Sequence, residues 1–233
     1  MLKPILTPKQ ETLLKDERQW LADLQVVLAK LGATEEDHTT LKQSIQQLDE
    51  LFLLVVVGEF NAGKSAFINA LLGQPLLKEG VTPTTAQVNI LKYGSASRRQ
   101  VIEPHLHALM EPLDILHHIN IVDTPGTNAV IQKHQTITED FVPRSDMVLF
   151  ITSADRPFTE SERRFLNQIK EWGKKVVIII NKVDMFETDA DLNQAETFVQ
   201  ENSARLLETR VEIFSVSAKL ALRAKQGEPD RWA

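Results

Sequence analysis

A strand, a glycine loop and a helix start follow one another between Leu51 and Gly73, and this succession constrains the fold more than any other feature of the chain. Residues Gly58, Glu59, Phe60, Asn61, Ala62, Gly63, Lys64 and Ser65 read GEFNAGKS, the G-x-x-x-x-G-K-[ST] pattern of a phosphate-binding loop. The apolar run LFLLVVV, Leu51 to Val57, precedes it and reads as a strand buried on both faces. The stretch from Ala66 to Leu72, AFINALL, reads as a helix that stops at Gly73. Backbone N–H groups and a helix N-terminus then converge on an anion. Lys64 is expected to reach the β- and γ-phosphates of a nucleotide, and Ser65 to ligate Mg²⁺.

Three later segments bear on the base. Asp123 to Gly126 (DTPG) follows the strand pattern Ile119 to Val122, so Asp123 is positioned to hold Mg²⁺ through water and the Gly126 N–H to sense a γ-phosphate. By itself D-x-P-G is also a common turn. Asn181 to Asp184 (NKVD) follows the strand pattern Lys175 to Ile180. The Asp184 carboxylate can accept from the N1–H and N2 amine of guanine, and adenine lacks that donor pair and would leave the carboxylate unpaired. The stem of Lys182 can cover the base, and Asn181 can tie this loop to the phosphate loop. Ser217, Ala218 and Lys219 follow the strand pattern Val211 to Val216, where the Ala218 N–H is expected to meet guanine O6. Each motif follows a strand, so all lie at the carboxyl ends of a parallel sheet, where ligands bind. Their joint order reads as a site for GTP and GDP.

Around these motifs the pattern is that of an α/β domain, a mostly parallel sheet flanked by helices, preceded by an amphipathic helix pair. Thr7 to Gln10 has capping-box spacing, and Leu13, Trp20, Leu24, Val27, Leu28 and Leu31 recur at helical spacing before Gly32. A second helix runs from Thr34 through Leu41, Ile45 and Leu48. The apolar stripes either pack on the nucleotide-binding domain or form half of a helical bundle. Gln87 to Tyr93 and Asp146 to Ser153 read as strands, Thr159 to Glu162 as a capping box opening a helix to Trp172, and Asp189 to Leu207 as a helix. Ser95 to His118 has no clear pattern, and Arg98 and Arg99 read there as a solvated turn. His105, His107, His117 and His118 in this stretch match no usual zinc spacing.

Of the 233 residues 42% are hydrophobic and 25% charged, the profile of a globular domain. The net charge of −6 argues against bulk electrostatic binding of nucleic acid, and the lack of cysteine excludes disulfides and thiolate chemistry.

The loop Gly80 to Gln87 (GVTPTTAQ) offers the threonine that binds Mg²⁺ and touches the γ-phosphate in GTP-hydrolysing proteins; Thr85 comes first, then Thr84 and Thr82. After DTPG stands Thr127 where Ras-like enzymes carry a water-orienting Gln. Asn61 suggests another device, a monovalent cation such as K⁺ beside the phosphates; its other reading is a loop asparagine suited to unusual φ/ψ.

Taken together, GEFNAGKSAFINALLG, GVTPTTA, NIVDTPGTNAV and FVPRSDMVLFITSADRPFTESERRFL resemble the bacterial dynamin-like proteins, most nearly their fuzzy-onion-like branch. The resemblance covers most of Leu51 to Ala233. It implies a dynamin-type GTPase domain over 51–233, C-terminally incomplete, after an N-terminal helical segment, 1–50, belonging to a bundle or neck. It further implies GTP hydrolysis, a homodimer through this domain, and remodelling or fusion of membranes by a lipid-binding part outside this chain. The parent protein would be cytoplasmic and peripherally associated with a plasma or thylakoid membrane. Ala66 departs from the Ser or Thr usual at its position. Two alternatives remain: an Era-like regulatory or ribosome-assembly GTPase, which would carry a basic RNA-binding appendage, and a scaffold that binds GTP with little turnover.

Overall fold

In the computed structural model, residues 8–49, 52–79, 87–126 and 141–228 are described. Two helices lead, α1 (Pro8–Leu31) and α2 (Glu35–Asp49). Gly32, at φ 69°, turns the chain between them, and Thr34 caps α2 by accepting from the Asp37 amide at 3.2 Å. They pack on each other and bury Leu41, whereas the α1 stripe stays open: Trp20 is 66% and Leu31 75% exposed. Packing of that stripe against the nucleotide-binding domain is therefore not what the structure shows.

The remaining elements are β1 (Leu53–Gly58), α3 (Lys64–Leu72), β2 (Val88–Tyr93), β3 (Arg98–Glu103), β4 (Leu106–Glu111), β5 (Asn120–Asp123) and β6 (Met147–Ser153), then α4 (Glu160–Glu171), β7 (Val176–Asn181), α5 (Asp189–Leu207), β8 (Glu212–Val216) and α6 (Ala218–Lys225). Among the described residues the strands form one sheet in the order β3-β4-β2-β5-β1-β6-β7-β8. The run β5-β1-β6-β7-β8 is parallel throughout, while β2 is antiparallel to β5 and β3 antiparallel to β4.

The central strands are apolar because both faces are covered, and their alternation sorts two cores. Leu53, Val55 and Val57 of β1, Val148 and Phe150 of β6, and Ile178 and Ile180 of β7 meet Phe165, Leu166 and Ile169 of α4 and Val199 of α5. Leu54, Val56, Ile121, Leu149, Ile151, Val177 and Ile179 face the other way, against Ile68 and Leu72 of α3. The capping box opening α4 is present: Thr159 accepts from the Glu162 amide, and the Glu162 carboxylate accepts from the Thr159 amide. α3 ends at Gly73 (φ 75°).

The stretch read as patternless and as a solvated turn at Arg98 and Arg99 is instead the β3–β4 hairpin. Every residue of β3 is exposed at the sheet edge, so no apolar alternation marks it in the sequence. Arg99 donates to Nδ1 of His107, and His117 stacks on Tyr93 with ring centroids 3.5 Å apart.

Candidate nucleotide site

Gly58, Asp123, Asn181 and Val216 end the parallel strands β1, β5, β7 and β8, so the loops that follow them gather at one edge of the sheet. Between them lies a cavity of about 700 Å³, the volume of a nucleotide-sized site, lined by Phe60 to Ala66, by Gly126, and by Asn181, Lys182, Asp184, Ala218 and Lys219, though without Ala62. Lys78, Glu79 and Met185 also line it. Sequence reasoning missed these three. The available signal for the first two was Asn69, a polar residue on the buried face of α3. It is fully buried, donates to Leu77 O at 2.9 Å and Glu79 Oε1 at 2.8 Å, and accepts from the Leu77 amide at 2.8 Å.

The phosphate loop closes around Lys64. Lys64 is 7% exposed, and its ammonium donates to Gly58 O at 3.0 Å and Glu59 O at 2.8 Å. Burial pushes its pKa down to about 8, opposed by the nearby Asp123 carboxylate. Gly63, at φ 89°, stands at the start of α3; a Cβ there would lie 2.2 Å from Asn181 Nδ2. Asn61 also adopts the left-handed region, φ 63°, which agrees with its reading as a loop asparagine. Gly126 is needed for close approach, since a Cβ there would sit 2.5 Å from both the N and Cα of Phe60. The DTPG segment thus lies directly on the phosphate loop.

Asp123 is completely buried, and burial raises its pKa to about 6, with Lys64 and the Ser65 hydroxyl pulling the other way. Ser65 Oγ donates to Asp123 Oδ2 at 3.1 Å. Among the described residues Asp123 Oδ1 is the one buried side-chain polar atom with no hydrogen-bond partner. A hydroxyl and a carboxylate with a spare buried oxygen form a hard donor set, and these residues fit Mg²⁺.

Asn181 joins three loops. Its Nδ2 donates to Ala62 O at 3.0 Å, while its Oδ1 accepts from the Lys182 amide at 2.8 Å and the Ala218 amide at 3.0 Å. The expected tie from Asn181 to the phosphate loop is therefore present. Lys182 is left-handed (φ 66°), and the exposed Asp184 carboxylate accepts from Ser217 Oγ at 2.6 Å. The Ala218 N–H, expected at guanine O6, donates here to Asn181 Oδ1 at 3.0 Å, and Leu220 N donates to the Ser217 cap. Thr82, Thr84, Thr85 and Thr127 lie outside the described residues. Among the described residues no helix is long and apolar enough to cross a membrane, and no group of three His, Asp or Glu side chains could hold a metal ion.

A family model described as a 50S ribosome-binding GTPase matches residues 53–182, more than half of the chain. A probable transmembrane GTPase FZO-like, chloroplastic, of Arabidopsis thaliana is 43% identical over 226 residues, covering 94% of this chain and 25% of that protein. A bacterial dynamin-like protein of Nostoc punctiforme is 30% identical over 189 residues, covering 64% of this chain and 27% of its own length. The present chain thus spans about a quarter of these relatives. In fold, a chain of an oligomerised bacterial dynamin pair superposes with a TM-score of 0.66 at 20% identity, over 96% of this chain and 41% of that one. By the match over residues 53–182 the chain belongs to the GTPase family that the model describes, and its relatives include an FZO-like chloroplastic GTPase and a bacterial dynamin-like protein.

Proposed function

We propose that this chain supplies the GTP-binding and GTP-hydrolysing domain, residues 51–233, of a dynamin-like protein that remodels or fuses membranes, with residues 1–50 part of a helical neck. The observation that carries the nucleotide reading is Asn181, which locks the phosphate loop to both base-reading loops while Ser217 holds Asp184 at the cavity. In this reading Asp184 accepts from guanine N1–H and N2, Lys182 covers the base, and the Ala218 amide meets O6. Lys64, held by the Gly58 and Glu59 carbonyls, presents its remaining N–H to the β- and γ-phosphates, and the Glu59-to-Ala66 backbone amides surround them. Ser65, Asp123 and Thr85 hold Mg²⁺, which supplies neutralisation of phosphate charge. The Gly126 amide senses the γ-phosphate.

With Thr127 in place of a glutamine, charge developing between the β- and γ-phosphates needs another partner. A K⁺ ion beside Asn61 and residues brought across a homodimer of this domain fill that role. The likeness in fold to a bacterial dynamin pair supports the dimer, and the dynamin-like relatives support peripheral association of the longer parent with a membrane. The net charge of −6 supports the absence of a nucleic-acid partner. The ribosome-binding description of the matched family favours the Era-like alternative instead. GTP turnover per chain across a protein concentration series, in sodium and in potassium, tests the reading. A specific rate that rises with concentration and with potassium is expected. A flat rate in both salts points to a binding scaffold, and RNA-stimulated turnover to the Era-like alternative.

A further inference from the structure

The side chain of Glu59, the second residue of the phosphate loop, does not line the large cavity. It points to the first turn of α4, a hundred residues further along the chain. There Glu59 Oε1 accepts from Thr159 Oγ1 at 2.5 Å and also from Ser161 Oγ. The same Thr159 caps α4, so one hydroxyl serves two purposes: its oxygen accepts from the Glu162 amide while its proton goes to Glu59. Glu162, 2% exposed, completes the knot by accepting from the Thr159 amide and from Thr152 Oγ1, each at 3.0 Å.

The approach to this turn is constrained too. Phe158 is buried yet left-handed, at φ 63°, a conformation that bulky residues rarely adopt. At the other end of the segment the Ala154 amide donates to Asn181 O at 2.8 Å. The segment from Ala154 to Ser161 is thus fastened to Asn181 at one end and to Glu59 at the other. Meanwhile the backbone oxygen of Glu59 is one of the two acceptors of Lys64.

We propose that Thr159 and Ser161 are positioning residues for the phosphate loop: by gripping the Glu59 carboxylate they fix the direction of its carbonyl, and through it the ammonium of Lys64. The proposal rests on the reading that Lys64 serves the phosphates of GTP. Glu59 needs hydroxyl donors at this turn, and helix capping alone does not require them. Capping and gripping can therefore be separated.

Thr159→Ser keeps both the cap and the donor. Thr159→Asp keeps a cap at least as good, but sets a carboxylate against Glu59. Ser161→Ala removes one donor and leaves the cap untouched. Two readouts are taken on the same chain: GTP turnover and affinity, and hydrogen exchange of residues 58–65 in the nucleotide-free protein. Turnover should fall about tenfold or more in Thr159→Asp, as misplaced catalytic groups do. GDP affinity should change less than turnover. Ser161→Ala should fall by a smaller factor, and Thr159→Ser should match the unaltered protein. Exchange across 58–65 should quicken in the same order. If Thr159→Asp fails to fold, Ser161→Ala and Thr159→Ser carry the comparison. Unchanged exchange across 58–65 in folded Thr159→Asp, or in Ser161→Ala if the former is unfolded, overturns the proposal. Absence of turnover in the unaltered protein would sink the functional reading, while exchange would still decide the grip.

Discussion

Replacing Asn181 by alanine should loosen three loops at once. The side chain is 1% exposed and makes two donated and two accepted hydrogen bonds, all to backbone groups of Ala62, Gly63, Lys182 and Ala218. Alanine leaves two C=O and two N–H groups without those partners. A buried group stranded in this way costs roughly 1–3 kcal/mol. Lys182 is only half-buried and borders the open cavity, so water can satisfy part of the deficit. We therefore expect a loss of about 3–5 kcal/mol, a large share of the stability of a typical domain. Equilibrium urea unfolding of the nucleotide-free protein measures it, and nucleotide titration of whatever remains folded should show weakened affinity. A loss below about 1 kcal/mol with unchanged affinity would refute the reasoning, because buried groups of three loops cannot lose their shared partner so cheaply.

Gly126→Ala places a methyl group 2.5 Å from the N and Cα of Phe60, so the DTPG segment or the phosphate loop must shift. Triphosphate affinity should fall by more than diphosphate affinity, and equal affinities to the unaltered protein would contradict this. Lys64 is pushed down to about 8 by burial, and phosphate charge will favour its protonated form. Nucleotide binding near pH 8 to 9 should then take up protons, seen as a calorimetric enthalpy that varies with the buffer's ionisation enthalpy; the same enthalpy in all buffers would argue against it. Glu162 has its pKa raised by burial from 4.5 to about 7. The folded state then holds a proton that the unfolded chain has lost between those values, so stability falls as pH rises through the window. The full shift corresponds to about 3 kcal/mol as an order of magnitude. Glu162→Gln should flatten this part of the pH–stability curve relative to the unaltered protein, and parallel curves would exclude Glu162 as its source.

The strands β1, β5, β6 and β7 were legible because burial on both faces demands apolar runs, and β1, β5 and β7 each end where a motif begins. The hairpin β3–β4 was not, since an exposed edge strand such as RRQVIE needs no apolar face. Asn181 could be assigned its tie to the phosphate loop from motif order. That it also occupies the Ala218 amide could not, because the choice between neighbouring N–H groups is set by how β8 and α6 settle beside β7. The grip of Thr159 and Ser161 on Glu59 spans a hundred residues, and in the sequence Thr159 reads only as a helix cap. Glu79 lines the cavity with its carboxylate held by the Asn69 amide, a contact that motif order does not signal.

The account stands on guanine being read by Asp184. Calorimetric titration of the nucleotide-free protein with GTP, ATP and XTP, repeated on Asp184→Asn, tests this directly. Two hydrogen bonds to a carboxylate, each about 1.5–3 kcal/mol, predict that GTP binds at least a hundredfold more tightly than ATP. In Asp184→Asn the preference should move to XTP, whose C2 carbonyl can accept from the introduced amide. Equal affinity of the unaltered protein for GTP and ATP, or an Asp184→Asn variant that still prefers GTP, would contradict the account.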